Sequence, residues 1–280
     1  MKTRAAIVTG GLRGLGKAMT IGLAREGHFV LAVGHIDGDA AQMSAETKGT
    51  PLATRIMPLV ADLRRPAECD RAVKTAIDRF DAVDILVNNA GLTFTYIWPD
   101  LYRRAVPPKF WEAADEVIQD VMDTNYIAAD QMARRVAPRM VEREWGRIVN
   151  VTTKLDTMNR PTSSIYGASK AALEMATQIW AGNMVGTGVT INIVNPGRGA
   201  NTPGIAREMK EASTAGRIDR LVEPEQMVPP LLWVISDAAN KVNGYRFDAS
   251  AWYPSLPPAE AARRAGRLAG FQLQPSGGPV

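Results

Sequence analysis

Two spacings in this 280-residue chain can do chemistry. The first is Tyr166-Gly-Ala-Ser-Lys170, at the start of a strongly helical stretch. Four residues make about one helical turn, so phenol and ammonium lie on one face, roughly 5–6 Å apart at Cβ. A phenol ordinarily titrates near ~10. A neighbouring ammonium in a partly desolvated cleft favours phenolate and makes the tyrosine a usable proton donor and acceptor. The second spacing is Thr9–Gly16, TGGLRGLG, which follows an apolar run and opens a helical one. Glycines such as Gly10, Gly14 and Gly16 let the backbone turn tightly and approach a pyrophosphate. The helix N-terminus adds free N–H groups and the positive end of its dipole. Gly11-x4-Gly16-Lys17 nearly spells a nucleoside-triphosphate loop, but Ala18 lacks the hydroxyl that magnesium requires.

The end of the second apolar run discriminates between dinucleotides. An NAD site places Asp or Glu there to hold the ribose 2′-hydroxyl. Here the place falls on Gly34, followed by His35, so no carboxylate opposes a phosphate. Arg13, inside the glycine turn, can pair with a 2′-phosphate through its planar fork. Lys17 either assists or faces solvent, and His35 either touches phosphate or adenine or stands by. Asp37 is the feature that would restore NAD binding. NADP(H) is expected over NAD(H).

These groups need elements to position them. AAIV at 5–8, FVLAV at 29–33, IMPLV at 56–60, ILV at 85–87, IVNV at 148–151 and TINIV at 190–194 are short, β-branched and not alternating. Such runs suit strands covered on both faces. Helical spacing occupies about 14–26, 66–80, 115–143 and 163–185. This alternation predicts one α/β domain, a doubly wound parallel sheet of about seven strands with helices on both faces. Residues 92–112 gather Phe94, Tyr96, Trp98, Tyr102, Phe110 and Trp111, and residues 197–224 are rich in Gly, Pro, Ala and charge. Long connections beyond the carboxyl ends of strands commonly touch substrate. Residues 251–280 read as an extension, with a helix docked on this subunit or a neighbour.

Composition removes other classes. With 33 Lys+Arg against 29 Asp+Glu the net charge is only +4, and no basic block with interleaved aromatics argues for nucleic acid. Apolar runs fall short of the roughly 18 residues of a membrane span, and the N-terminus carries no signal-peptide pattern. One cysteine, Cys69, and two histidines, His28 and His35, argue against a thiolate–imidazole metal site. The lone cysteine suits a reducing, cytoplasmic compartment.

Taken in order, the motifs resemble the short-chain dehydrogenase/reductase family, of the type that includes 3-oxoacyl carrier-protein reductases. The resemblance runs from about residue 4 to residue 250. It rests on the glycine turn, Asp62-Leu63, Asn88-Asn89-Ala90-Gly91, Asn125, the strand Ile148–Thr153, Tyr166 with Lys170, and Pro196-Gly197. It implies a Rossmann-type NADP-binding catalytic domain over 1–250 and an oxidoreductase acting on a small carbonyl or alcohol. Asp62 would accept from the adenine amino group, with Leu63 beside it; Asn89, Ala90 and Gly91 would line the adenosine and ribose. Tyr166 would be the general acid or base and Lys170 would hold the nicotinamide ribose. Asn125 would hold a water in the proton relay. Thr153 stands where the family usually has Ser and would orient the substrate oxygen. Pro196, Gly197 and Thr202 would meet the nicotinamide or its phosphate, and Leu12 and Leu15 complete the cofactor turn. Relatives suggest a homodimer or homotetramer. The bland reading makes Asn88, Asn89 and Asn125 backbone partners and Thr152 and Thr153 ordinary strand residues. The rival functions are a dinucleotide-binding regulator without turnover and a non-redox member, a dehydratase or epimerase. Departures cluster on the substrate side: a longer stretch from Gly91 to Asn125, Arg198-Gly199 after the turn, and Asp248-Ala249-Ser250 in place of Asp-Gly-Gly.

Overall fold

Side chains of a strand point alternately to opposite faces, and here both faces are apolar. In the computed structural model, which describes residues 2–271, Ala6, Val8, Val30, Ala32, Ile85 and Val87 join one buried cluster. Their neighbours Ile7, Leu31, Val33 and Leu86 join another on the opposite face. That explains why the runs do not alternate in polarity. The strands are β1 (Ala5–Thr9), β2 (Phe29–Gly34), β3 (Ile56–Val60), β4 (Ile85–Asn88), β5 (Gly146–Asn150), β6 (Val189–Asn195), β7 (Tyr245–Asp248) and β8 (Gly266–Leu268). They form one sheet in the order β3-β2-β1-β4-β5-β6-β7-β8. All pairings are parallel except β7 with β8. Strand order reverses between β1 and β4, where a doubly wound sheet opens its ligand crevice.

The helices are α1 (Gly14–Arg25), α2 (Asp37–Thr47), α3 (Pro66–Phe80), α4 (Phe94–Ile97), α5 (Asp115–Met122), α6 (Ala128–Glu142), α7 (Leu155–Asn159), α8 (Ser164–Asn183), α9 (Arg207–Thr214), α10 (Val228–Ile235) and α11 (Pro258–Ala265). Met19 and Leu23 of α1, Leu231 and Val234 of α10, and Ala261 and Ala265 of α11 cover the first face. Val73 of α3 and Met132 and Val136 of α6 cover the second. The stretch expected as one helix over 115–143 is α5 and α6 joined by a π-helical turn, Asp123–Ile127, that carries Asn125. Such turns insert a residue into a helix and often mark functional positions.

The sheet has one strand more than the expected seven. Residues beyond 251 supply it: α11 packs on α10, and β8 lies antiparallel along the edge of β7. The remainder of the expected extension, residues 272–280, lies outside the described residues. The two long connections meet each other: the hydroxyls of Thr93 and Thr95 donate to the Gly204 carbonyl at 3.1 and 2.6 Å. Among the described residues no helix is long and apolar enough to cross a membrane.

Candidate active site

The glycine turn is built by close approach. Gly10 has φ +61°, in the region that favours glycine, and a Cβ on Gly16 would overlap the Gly10 carbonyl. The turn is locked from β4: Asn89 Nδ2 donates to Thr9 O at 3.0 Å and Gly10 O at 3.1 Å. In return Thr9 Oγ1 accepts from the backbone N–H groups of Asn89 and Ala90, both at 3.0 Å. Asn88 reaches Asn150 Oδ1 at 2.9 Å and the Ala129 carbonyl, so it ties β4 to β5 and α6. Leu12 is buried, and its Cδ1 would lie 2.8 Å from a Cβ on Gly34. The place where an NAD site carries its carboxylate is thus filled by leucine.

A cleft of about 150 Å³ lies beside this turn, lined by Gly10, Gly34, His35, Asp62, Leu63 and Ala90, with Arg64, Leu92 and Tyr96 among their neighbours. Arg13 is not in its lining: the half-exposed guanidinium lies 3.6 Å from Asp39. Lys17 pairs with Glu46, and Leu15 packs against the core from α1. Asp62 is gripped by Arg64, with Nε 3.0 Å from Oδ1 and Nη2 2.9 Å from Oδ2, and this holds its carboxyl below the usual range. Arg64 also reaches Asp120, which takes the Tyr96 hydroxyl. Arg64 was not anticipated, since its partner Asp120 comes from α5.

At the other end, Asn125, Thr153, Tyr166 and Lys170 converge from the π turn, the exit of β5 and the first turns of α8. Asn125 is 1% exposed and its amide is fully engaged. It accepts from Leu92 N at 2.7 Å and donates to Leu92 O at 3.1 Å and Ser169 Oγ at 3.0 Å. Lys170 is 4% exposed and donates to Val151 O at 2.9 Å. A Cβ on Gly91 would lie 3.3 Å from both Asn125 Oδ1 and Lys170 Nζ, so Gly91 leaves open the point on which they converge. Burial holds the Lys170 ammonium down at about 8. Burial pushes the Tyr166 phenol up, while the Thr153 hydroxyl pulls it back. Phe94, from the aromatic connection, packs against Tyr166 with ring centroids 4.5 Å apart and the rings tilted by 50°. Ile97, Trp98 and Val121 close the same apolar cluster.

Pro196 and Gly197 follow β6. Gly197 has φ +78° and its N–H donates to Asn195 Oδ1 at 2.7 Å. Thr202 sits over the glycine turn, its Cβ 3.6 Å from where a Gly14 Cβ would be. The sequence reading missed Glu174 and Arg246, both buried, behind Thr153. Glu174 was findable, being eight residues past Tyr166 on the face that carries Lys170.

Sheet order and glycine turn are those of an α/β oxidoreductase, and the short chain dehydrogenase family model matches residues 4–212. The chain belongs to that family. A short-chain type dehydrogenase/reductase of Picea abies is 30% identical over 249 residues, 86% of this chain and 88% of its own. A 3-oxoacyl-(acyl-carrier-protein) reductase of Thermotoga maritima is 26% identical over 249 residues, 87% of this chain and 95% of its own. Among solved structures, an actinorhodin polyketide ketoreductase with NADPH superposes with TM-score 0.73 at 25% identity, covering 86% of this chain and 93% of the other.

Proposed function

We propose that this oxidoreductase uses NADP(H) to interconvert a carbonyl and an alcohol, with Tyr166, Lys170, Asn125 and Thr153 as its working residues. The observation that carries the reading is Lys170. A buried ammonium is costly unless it has work to do. This one donates to a single backbone carbonyl, and no carboxylate lies within salt-bridge range of it among the described residues. An ammonium has three donors, so two remain for ribose hydroxyls at the point Gly91 leaves open.

The residues fit a dinucleotide. The Gly10–Gly16 cradle and the N-terminus of α1 take the pyrophosphate, Asp62, Leu63 and His35 the adenine end, and Asn89, Ala90 and Gly91 the adenosine side. Pro196, Gly197 and Thr202 take the nicotinamide side. Leucine in place of a carboxylate at the end of β2, with Arg13 on the rim, favours a 2′-phosphate. Arg13 would exchange Asp39 for that phosphate.

Bound, the reduced nicotinamide supplies the hydride. Tyr166, held protonated by burial, donates to the carbonyl oxygen, and the Thr153 hydroxyl orients that oxygen and steadies the phenolate left behind. The Asn125 amide is spent on Leu92 and Ser169, so the water expected of Asn125 falls to its backbone carbonyl. Phe94 against Tyr166, with the Trp98 cluster packed behind it, puts an apolar face beside the phenol, which suits a carbonyl compound with an apolar body. We place the enzyme in the cytoplasm, which its single cysteine suits, as a homodimer or homotetramer.

The test mixes purified protein with NADPH or NADH and a panel of ketones, aldehydes and 3-oxoacyl thioesters, following the absorbance of reduced nicotinamide. Faster consumption of NADPH supports the reading. Tight binding without consumption across the panel would turn it into a regulator, and a preference for NADH would overturn the cofactor assignment.

A further inference from the structure

Behind the site runs a buried polar chain that the chemistry above does not use. Arg246 of β7 and Glu174 of α8 are 1% and 0% exposed and pair at 2.8 Å. Arg246 Nη2 also donates to Thr153 O at 2.9 Å and to Asp248 Oδ1 at 3.2 Å. Asp248 Oδ1 accepts from Asn195 Nδ2 at 2.6 Å, and Asn195 holds Gly197 N. Both Glu174 oxygens are occupied. Oε2 takes Arg246 and the Thr152 hydroxyl at 2.9 Å, and Oε1 takes the Gly270 N–H at 3.2 Å from the segment past β8.

Two consequences follow from this arrangement. Glu174 stands four residues from Lys170 on the same helix, the spacing at which Lys and Glu ordinarily pair. Arg246 and Gly270 N–H claim its oxygens instead. The exit of β5 is also pinned at three successive residues: Lys170 holds Val151 O, Glu174 holds the Thr152 hydroxyl and Arg246 holds Thr153 O.

Resting on the proposed oxidoreductase reading, we propose that Arg246 is a positioning residue that keeps Glu174 from pairing with Lys170 and fixes the height of Thr153. Lys170 then keeps its donors for the dinucleotide, and the Thr153 hydroxyl stays aimed at Tyr166. The titratable groups around the chain are Glu174, Arg246 and Asp248, paired with one another, with Tyr166 one turn before Lys170 on α8 and Tyr102 beyond Tyr166. Only Glu174 is an acid one helical turn away, so freeing it changes the charge state of Lys170.

The experiment measures NADPH affinity by fluorescence between pH 6 and 10, an interval chosen around the Lys170 value of about 8. Amide hydrogen exchange over residues 151–155 and 195–199 is measured without cofactor. The proteins are wild type, Arg246→Met and Arg246→Met/Glu174→Gln, with folding checked by circular dichroism. Wild-type affinity is expected to fall as the pH passes about 8. In Arg246→Met, Glu174 turns to Lys170: affinity at neutral pH drops about tenfold, the scale of one lost hydrogen bond to a charged group, and the fall moves to higher pH. The double variant recovers both affinity and the position of the fall, while exchange at 151–155 stays fast because Thr153 O has lost its donor.

A wild-type pH curve in Arg246→Met, or no recovery in the double variant, overturns the sequestering role; unchanged exchange overturns the pinning role. Should Arg246→Met fail to fold, Arg246→Lys serves. It keeps the charge on Glu174 but loses the fork, so the pH curve stays and exchange rises, and a shifted curve counts against the proposal. If wild type binds NADH but not NADPH, only the NADP(H) assignment falls and the same titrations are read with NADH; if it binds neither, the proposed function falls, and the exchange measurement alone decides whether Arg246 pins the strand exit.

Discussion

The two ends of the crevice are held together by different physics. At the chemical end, Asn125 and Lys170 are almost wholly buried and fixed by hydrogen bonds between distant elements: Asn125 to Ser169 and Leu92, Lys170 to Val151. At the nucleotide end, Arg13 with Asp39, Lys17 with Glu46 and Arg64 with Asp62 are ion pairs open to solvent. A buried polar group left without its partner costs about 1–3 kcal/mol, more if charged. An exposed ion pair is worth about 0–1 kcal/mol and can exchange its partner for a phosphate at little cost. On the proposed reading, the first end fixes geometry and the second leaves cofactor preference adjustable.

The largest test of that contrast is Tyr166→Phe, which removes one oxygen and keeps the ring on Phe94. Turnover should fall at least about a hundredfold, the lower bound for a general acid, while NADPH affinity stays within about twofold. Substantial residual turnover in a carbonyl assay would dissolve the distinction between the two ends.

Next in size is Lys170→Met. Holding an ammonium at about 8 rather than 10.5 costs folding about 3 kcal/mol below pH 8, where folded and unfolded chains both carry the proton. Between pH 8 and 10.5 the folded chain has released its proton and the unfolded chain has not, so wild-type stability rises with pH. Above that window the penalty is gone. The methionine forfeits the bond to Val151 O, so a net gain of about 1–2 kcal/mol is expected near pH 7, shrinking through the same window. Urea melts at several pH values read it, together with lost NADPH affinity. A destabilised variant at pH 7 would show that Lys170 is structural.

The sequence carried the chemical end further than the nucleotide end. Tyr166 and Lys170 are legible because four-residue spacing on a helix fixes which side chains share a face, whatever the tertiary structure. Asn125 is singled out in the sequence, but not the π turn that carries it, because the expected helix over 115–143 reads as one continuous stretch. β7 is expected from the resemblance but shows no apolar run of its own: it has four residues and buries Arg246, a charge whose partner lies 72 residues away. α2 escaped because only Met43 and Thr47 are buried along it, too few for an apolar stripe. Arg64 escaped for the same reason as Arg246. Ion pairs depend on what folding brings near, and Asp120 is 56 residues from Arg64.

The smallest expected effect falls on those exposed pairs and sharpens the contrast most. Arg13→Ala should weaken NADPH about tenfold, the scale of a charge-assisted hydrogen bond, and leave NADH within about twofold. Arg64→Ala should weaken both cofactors alike and by less, about threefold, because Asp62 keeps its carboxylate and loses only the guanidinium that aims it. Both losses should fade as salt is added, since exposed charges are screened within about 10 Å at 0.1 M. Loss of discrimination from Arg64→Ala instead of Arg13→Ala in binding titrations would move the 2′-phosphate into the cleft beside Asp62. The phosphate would then sit where Arg64 bridges to Asp120 and Tyr96, and cofactor preference would be set by the connection over the substrate rather than by the glycine turn.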